Sequence, residues 1–480
     1  MEVLFGSIGG LPAPSLALDG LRVLEYELTL FAAFWFVIGI ADELAVDLVY
    51  AWHRMVRRLR THRLVKNVMD RPLQGMAAVL IPAWQESAVI GETITHALKV
   101  WPQTRLRLYI GCYANDPATL AAAMAAAGGD ARVRIVVLDR DGPTTKADCL
   151  NRLYQALATD EARSGRMFRM VVLHDAEDMV HPAALTLMDT ALSDADFIQL
   201  PVRPEAQPAS PWIAGHYIDE FTESHAKAMV VRDLLGAALP GAGVGCALSR
   251  AALEDLAYRR KLLGQEGPFE ADCLTEDYEL GLMLARFGRR GRFLRLRDAD
   301  GSLVATRSYF PATLSQAVRQ KTRWVHGIAL QGWERLGWWG KPVDLWMALR
   351  DRRGPLVALV LAIAYVLLLL SPLLFVAERF GLTGPKADSA LLDVLVKICF
   401  LGLAWRALMR FVFTAREYGW AEGVRAVLRI PVANVIAIMS GRRALVAYAR
   451  SLAGTMPVWD KTEHAAHPAH TLQPAREQAA

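Results

Sequence analysis

Short apolar runs alternate with amphipathic stretches through the first half of the chain. Compact apolar runs bounded by polar turns predict buried strands, and apolar residues spaced three and four apart predict helices. Strands are expected at residues 76–82, 107–112, 132–138 and 170–173, and helices at 91–100, 118–127 and 146–158. This alternation predicts an α/β domain with a mostly parallel sheet that helices cover on both faces.

Longer apolar stretches predict about three transmembrane helices. Residues 355–377 are uncharged and long enough to cross a bilayer. Residues 24–50 and 391–413 are less uniform, because acidic residues flank the centre of the first stretch and three basic residues interrupt the second. Residues 421–452 contain a proline, an asparagine and paired arginines, which favours an interfacial or re-entrant helix over a fourth span.

Basic residues beside these stretches predict the orientation of the chain in a membrane. They follow the first stretch, precede the second and follow the third. Because basic flanks stay in the cytosol, the α/β region and the C-terminus are expected on the cytosolic side of the membrane. The expected parts are 1–50 with the first transmembrane helix, 51–310 as a cytosolic α/β domain, 311–354 as interfacial helices, 355–413 as two transmembrane helices, 414–456 as cytosolic interfacial or re-entrant helices, and 457–480 as a disordered tail.

Composition narrows the class of function. Hydrophobic residues make up 53% of the chain and charged residues 21%, which fits a membrane protein. The five cysteines are scattered, so neither a disulfide framework nor a zinc site is expected. The net charge of +5 is too small to indicate nucleic-acid binding, and no nucleic-acid partner is expected.

Carboxylates follow each predicted strand. They are Glu86 after the first, Asp116 after the second, Asp139 and Asp141 after the third, and Asp175, Glu177 and Asp178 after the fourth. The carboxyl ends of parallel strands meet at one edge of a sheet, so these groups would repel one another unless a cation or hydrogen-bond donors lay among them. A hard divalent cation that also binds diphosphate oxygens meets this need. The alternative, that an aspartate caps the next helix or turn, stays open for Asp116, Asp139 and Asp141.

Four motifs occur in the order found in family 2 glycosyltransferases with the GT-A fold. They are PAWQE at 82–86, DAE at 175–177, TED at 275–277 and QKTRW at 320–324. They resemble the nucleotide-site carboxylate, the Asp-x-Asp metal motif, the catalytic-base motif and the QxxRW motif of the membrane-bound, cellulose-synthase-like branch of that family. Glu177 replaces the second aspartate of the metal motif. The chain also resembles members that carry a further C-terminal domain thought to sense cyclic di-GMP; residues for such a domain are not apparent here, so direct regulation by that nucleotide is not expected.

The resemblance implies a role for each matching residue. Mg²⁺ or Mn²⁺ is expected at Asp175, Glu177 and Asp178, and catalysis at Asp277, Glu276 and Arg323. The expected nucleotide-sugar residues are Glu86, Asp116, Lys146, Asp148, Gln320, Arg323 and Trp324, and the expected acceptor residues are Trp324, Gly243, Gly245 and Cys246. From spacing alone, Lys146 also fits a solvated surface lysine, Asp277 a helix start, and 320–324 an amphipathic interfacial helix.

The implied function is inverting, metal-dependent glycosyl transfer. A UDP-sugar, either a UDP-N-acetylhexosamine or a UDP-hexose, would extend a growing glycan at the lipid bilayer. The product would be a polysaccharide that leaves the cell through a periplasmic or outer-membrane export partner. Two alternatives stay open: transfer of a single sugar to a lipid carrier, and a catalytically silent membrane scaffold or phage receptor.

Overall fold

The computed structural model of the protein describes residues 13–56, 61–64, 68, 71–385, 389–454 and 466–469. Most of the predicted tail 457–480 therefore lies outside the described residues. Within the described part, an α/β domain built on one large sheet is joined to a bundle of long helices.

Seven strands form the main sheet in the order β3-β2-β1-β4-β7-β5-β8. The strands are β1 Met76–Pro82, β2 Leu106–Tyr113, β3 Val133–Leu138, β4 Phe168–Leu173, β5 Phe197–Gln199, β6 Val202–Pro204, β7 Cys246–Ser249, β8 Gly291–Phe293 and β9 Thr306–Ser308. Only β7 runs antiparallel to its neighbours in this sheet, and β6 and β9 pair separately in parallel. The predicted mostly parallel sheet is thus confirmed.

Helices cover both faces of this sheet and form the remaining bundle. Those of the sheet domain are α2 Ile90–Val100, α3 Pro117–Ala127, α4 Lys146–Ser164, α5 Ala184–Ala191, α6 Gly215–Glu223, α7 Met229–Leu234, α8 Arg250–Leu262 and α9 Glu276–Arg286. The others are α1 Ala13–Met55, α10 Leu314–Trp324, α11 Gly332–Leu336, α12 Pro342–Arg352, α13 Gly354–Arg379, α14 Ala390–Tyr418, α15 Trp420–Leu428 and α16 Ile430–Leu452. A π-helical segment, Val325–Gln331, joins α10 to α11.

The elements predicted for residues 76–173 are all present. Their ends agree within two residues, except that α4 continues six residues beyond the predicted end at 158. These extra turns bury Glu161, whose carboxylate lies 2.7 Å from the guanidinium of Arg250 on α8. The helix then stops at Gly165, which takes the left-handed conformation that ends many helices.

Three described helices are long and apolar enough to cross a membrane, judged by length and composition: Ala17–Met55, Gly354–Arg379 and Ile430–Leu452. The first two contain the predicted spans 24–50 and 355–377. The third is α16. The predicted span at 391–413 lies on α14, which is not one of these three helices.

Packing nevertheless places both α13 and α14 beside α1. Far from the sheet, Arg22 of α1 pairs with Glu378 of α13 at 2.5 Å, and Tyr26 lies within hydrogen-bond distance of Ser389 at the start of α14. At the other end of α14, the hydroxyl of Tyr418 donates to a carbonyl of the sheet domain. A span at 391–413 therefore stays a prediction, and this packing supports it.

Helix α16 contacts the sheet domain at its start, and near its end it contacts α11, which is joined to α9 by the ion pair of Arg335 with Glu279. Arg429, just before the helix, pairs with Asp219 of α6 at 2.6 Å, and Tyr448 donates to Glu334 of α11. Both ends of α16 therefore lie on the side of the sheet. The predicted region 421–452 is divided by a break at Arg429, between α15 and α16, and Pro431 lies in the first turn of α16, where its missing N–H costs no hydrogen bond. Whether α16 spans the membrane or lies at its surface stays a prediction.

Candidate active site

A single cavity of about 690 Å³ lies at the carboxyl ends of β1 and β4 and reaches the membrane helices. Residues after β1, after β4, at the start of α9 and on α10 all line it. Those predicted from the sequence are Glu86, Lys146, Asp175, Glu177, Asp178, Gly243, Glu276, Asp277, Gln320, Arg323 and Trp324. The fold therefore brings together residues from four motifs that are far apart in sequence.

Asp175 and Glu177 lie in the loop that follows β4. The Lys146 ammonium, at the first residue of α4, lies 2.5 Å from Asp175 Oδ1. Within the described ranges, no cluster of three or more histidine, cysteine, aspartate or glutamate side chains is arranged to hold a metal ion. Two carboxylates on a cavity wall suit instead an ion of the Mg²⁺ type, which takes its other ligands from water and phosphate oxygens.

The Asp178 carboxylate is not oriented as a metal ligand. Its side chain is 1% exposed, and Oδ2 accepts hydrogen bonds from the backbone N–H of Asp175 at 2.9 Å and from His174 at 3.0 Å. Burial raises the pKa of the Asp178 carboxyl, and the contact with His174 opposes that rise. This geometry argues against the prediction that Asp178 is a metal ligand, because its carboxylate fixes the loop from inside.

Lys146 lies among three carboxylates. Besides Asp175, Glu276 Oε1 lies 3.7 Å from its ammonium, and Asp277 is near enough to stabilise the charge. Burial opposes the charged form, but the carboxylates raise the pKa of Lys146. Burial also raises the pKa of Asp277, against the opposing effect of Lys146 and Arg323. The site therefore contains a permanent cation and a carboxylate that binds a proton more readily than an ordinary aspartate.

The glycine-rich segment 241–245 passes directly over the start of α9. The N–H of Gly241 donates to the carbonyl of Asp277 at 3.2 Å. A Cβ on Gly243 would lie 2.6 Å from Asp277 Oδ2 and 3.3 Å from the Lys146 ammonium. Gly243 also has a φ of +78°, which favours glycine. The segment therefore lies against Asp277, and the acceptor role expected for Gly243 stays a prediction.

Gln320, Arg323 and Trp324 lie on one face of α10 and line the cavity. Gln320 Oε1 is buried without a hydrogen-bond partner among the described residues. The Trp324 ring packs edge-on against Tyr217 at 6.0 Å between centroids and lies 4.8 Å from the ammonium of Lys321. The face thus offers a cation, an amide and an aromatic ring to a ligand in the cavity.

Residues 74–327, more than half of the chain, match the family described as glycosyltransferase like family 2. The chain belongs to the family 2 glycosyltransferases. It is 32% identical over 473 residues to bacteriophage adsorption protein B of Escherichia coli K12 and to bacteriophage N4 adsorption protein B of E. coli O157:H7. The match covers 93% of this chain and 62% of each relative, so the chain spans about three fifths of their length.

Two solved glycosyltransferases resemble the structure at low sequence identity. The mannosyltransferase PcManGT of Pyrobaculum calidifontis, solved with GDP-Man and Mn²⁺, is 15% identical with a TM-score of 0.45, over 86% of this chain and 98% of that one. The glucosyl-3-phosphoglycerate synthase of Mycobacterium tuberculosis, solved with Mn²⁺, UDP and phosphoglyceric acid, is 18% identical with a TM-score of 0.34, over 59% and 86%.

Four predicted residues of this glycosyltransferase domain lie outside the cavity. Asp116 caps α3 and accepts a hydrogen bond of 2.5 Å from the N–H of Gln85, so the capping alternative is the one its contacts fit. Asp148 lies in the first turn of α4, where its N–H is capped by Thr145. Gly245 and Cys246 lead into β7 beneath the site, and burial raises the pKa of the Cys246 thiol to a level at which it stays protonated.

Other residues of the cavity were missed by sequence reasoning. Its membrane end is lined by Arg350 and Arg353 near the start of α13 and by Arg406 and Arg410 of α14. Glu43 of α1 pairs with three of these arginines. The sequence showed these residues only as flanks of apolar stretches, and nothing in their spacing indicated a common wall.

Proposed function

We propose that the protein transfers a sugar from a UDP-sugar to a growing glycan at the bacterial inner membrane, with inversion at the reacting carbon. One observation carries this proposal: a single cavity holds the Asp175 loop, the Asp277 carboxylate and the Arg323–Trp324 face, and continues to the membrane helices. A donor, an acceptor and a membrane-bound product each have a place along it. Family membership supports glycosyl transfer; the sugar and the polymeric product belong to the proposal.

The donor end fits a nucleotide diphosphate with Mg²⁺ or Mn²⁺. Asp175 and Glu177 would hold the ion, which would stabilise the negative charge of the leaving diphosphate. Lys146 would share that charge, since it already lies against Asp175. Arg323 lines the same cavity and has no carboxylate within ion-pair distance in the described part of the chain, so its guanidinium is available to a diphosphate.

Asp277 would remove the proton from the acceptor hydroxyl. Its burial favours the protonated form and makes its carboxylate a stronger base than an exposed aspartate. Because Gly243 has no side chain, its backbone approaches Asp277 Oδ2 closely without displacing the carboxylate. Glu276 contacts Lys146 instead, so its proposed contribution is to hold that cation in place.

The membrane end of the cavity supports a glycan acceptor over a lipid phosphate. The four arginines on this wall share three carboxylates. Arg350 and Arg353 pair with both Asp42 and Glu43. Arg406 pairs with Glu43, and Arg410 lies 3.9 Å from Glu223. This wall offers hydrogen bonds to hydroxyl groups while most of its positive charge is already neutralised by the protein. We further propose that the α/β domain is cytosolic and that α1, α13 and α14 span the membrane. The glycan would then leave through an export partner.

The test is UDP release from a panel of UDP-sugars by the purified protein with Mn²⁺ or Mg²⁺. We expect release by the wild type, loss of at least about 100-fold in kcat for Asp277→Asn, and loss of activity with chelator. Gel analysis of the glycan separates a polymer from a single transfer. Equal release by Asp277→Asn would refute the base assignment, and no release with any donor would favour the scaffold alternative.

A further inference from the structure

The loop after β4 is held from behind through its backbone carbonyls. The hydroxyl of Thr93 on α2 donates to the carbonyl of Ala176. His96, one turn further along α2, lies 2.9 Å through Nε2 from the carbonyl of Val180. Trp101, at the C-terminal end of α2, donates through Nε1 to the carbonyl of His181 at 3.1 Å. One helix thus fixes three carbonyls of the loop that carries Asp175 and Glu177.

A fourth carbonyl, that of Asp178, is contacted from the C-terminal segment 466–469. His467 Nε2 lies 3.3 Å from it, although the two residues are 289 positions apart. The Nδ1 atom of His467 accepts a hydrogen bond from the N–H of Ala469 at 3.2 Å. In a neutral ring Nε2 must then carry the hydrogen and donate it to Asp178. His467 is fully buried, and its ring centroid lies 6.5 Å from that of His96.

Asp178 connects this contact to the front of the loop. Its carbonyl accepts from His467, while its carboxylate accepts from the N–H of Asp175 at 2.9 Å. A shift of Asp178 therefore moves the backbone on both sides of Glu177. Geometry at a metal-binding carboxylate must be held within about half an ångström for effective binding.

We infer that the C-terminal segment at His467 is a positioning element of the donor site. It completes the set of donors that fixes the carbonyls of Ala176, Asp178, Val180 and His181, and three of these donors come from α2. The expected effect of this segment on the binding of Mn²⁺ and UDP rests on the proposed function of that site. Its expected effect on the conformation of the loop is independent of that function.

Hydrogen exchange in the loop tests the contact without any turnover. We expect the amides of Asp175, Asp178 and Met179 to exchange about five- to tenfold faster in His467→Ala, as loss of one hydrogen bond allows. His467→Gln keeps an N–H donor and should restore most of the protection. His62, an exposed histidine, gives the matched control His62→Ala with wild-type exchange. Equal exchange in His467→Ala and the wild type overturns the inference.

Affinity for the nucleotide separates positioning from a purely structural role. We expect His467→Ala to weaken binding of Mn²⁺–UDP about five- to tenfold, measured by calorimetry, with His467→Gln close to the wild type. Faster loop exchange with unchanged binding of Mn²⁺–UDP overturns the link to the donor site. If the wild type itself binds no Mn²⁺–UDP, the proposed function fails, and the exchange experiment still decides whether the segment holds the loop.

Discussion

Replacing Gly243 with alanine should impair catalysis far more than folding. The new Cβ would lie 2.6 Å from Asp277 Oδ2, so the carboxylate must retreat by about 0.8 Å to reach ordinary contact at 3.4 Å. The same Cβ approaches the Lys146 ammonium to 3.3 Å. A displacement of about 1 Å in a reacting group lowers the rate about 100-fold.

The backbone contributes a second, separate cost. Gly243 has a φ of +78°, and an alanine there costs about 1–2 kcal/mol in stability. Gly264 provides a matched control, since its φ is +75° and a Cβ there would meet no atom within 4 Å. Both variants should therefore lose similar stability, and only Gly243→Ala should lose activity.

The assay is kcat for UDP release together with the thermal unfolding temperature of both variants. We expect kcat to fall at least about 100-fold in Gly243→Ala and less than about twofold in Gly264→Ala, with similar falls in unfolding temperature. Equal kcat values for the two variants would refute the steric reasoning. The backbone strain that both variants share would then account for the whole effect, with no contribution from the contact with Asp277.

Three further predictions concern single contacts. Arg323→Lys keeps the charge but loses the planar fork, so KM for the UDP-sugar should rise about tenfold, and an unchanged KM would remove Arg323 from the donor site. Burial lowers the pKa of His225 to about 4, from an ordinary 6.5, so the fold favours the neutral ring. The neutral His225 therefore contributes up to about 3 kcal/mol of folding stability, which is present above pH 6.5 and is lost as the pH falls to 4. The unfolding temperature should fall less over this pH range in His225→Gln than in the wild type, and an equal fall in the variant and the wild type would contradict the prediction. Glu161→Gln should destabilise the fold by about 3 kcal/mol, because the buried Arg250 would keep only the exposed Glu254, 3.5 Å away, as a counter-charge. Chemical denaturation measures the loss, and Glu254→Gln is the control, with a loss of less than about 1 kcal/mol expected.

Local pattern predicted the elements of the sheet well and the membrane helices less well. The strands β1, β2 and β4 are buried apolar runs between polar turns, and β3 is a mostly apolar run at the edge of the sheet; this signal depends on adjacent residues alone. The antiparallel β7 was not predicted as a strand, since its four residues follow a glycine-rich run that resembled a turn. In 421–452 the proline marks the start of α16 after a break at Arg429, and the residues alone do not show on which side of the proline the helix continues.

The site was predictable where a motif lies within a few residues and unpredictable where it depends on distant packing. Asp175, Asp277 and Arg323 were named from short motifs, and the fold brings them to one cavity. The roles of Asp116 and Asp178 depend on which backbone N–H each carboxylate faces, and sequence does not show that direction. His467 depends on a contact across 289 residues, beyond the reach of any spacing rule.

The charge problem at the strand ends explains why Lys146 has its position. Several carboxylates at one sheet edge require a cation or hydrogen-bond donors, and the sequence pattern favoured a divalent metal ion. The structure has Lys146 between Asp175 and Glu276, so the acidic groups are already partly neutralised by the protein. In the proposed reaction Lys146 would remain beside these carboxylates when a metal–diphosphate binds and leaves. Lys146→Met replaces the lysine with an uncharged side chain of similar length, so Asp175, Glu276 and Asp277 would repel one another. Lys146 therefore has a structural role before any donor is bound.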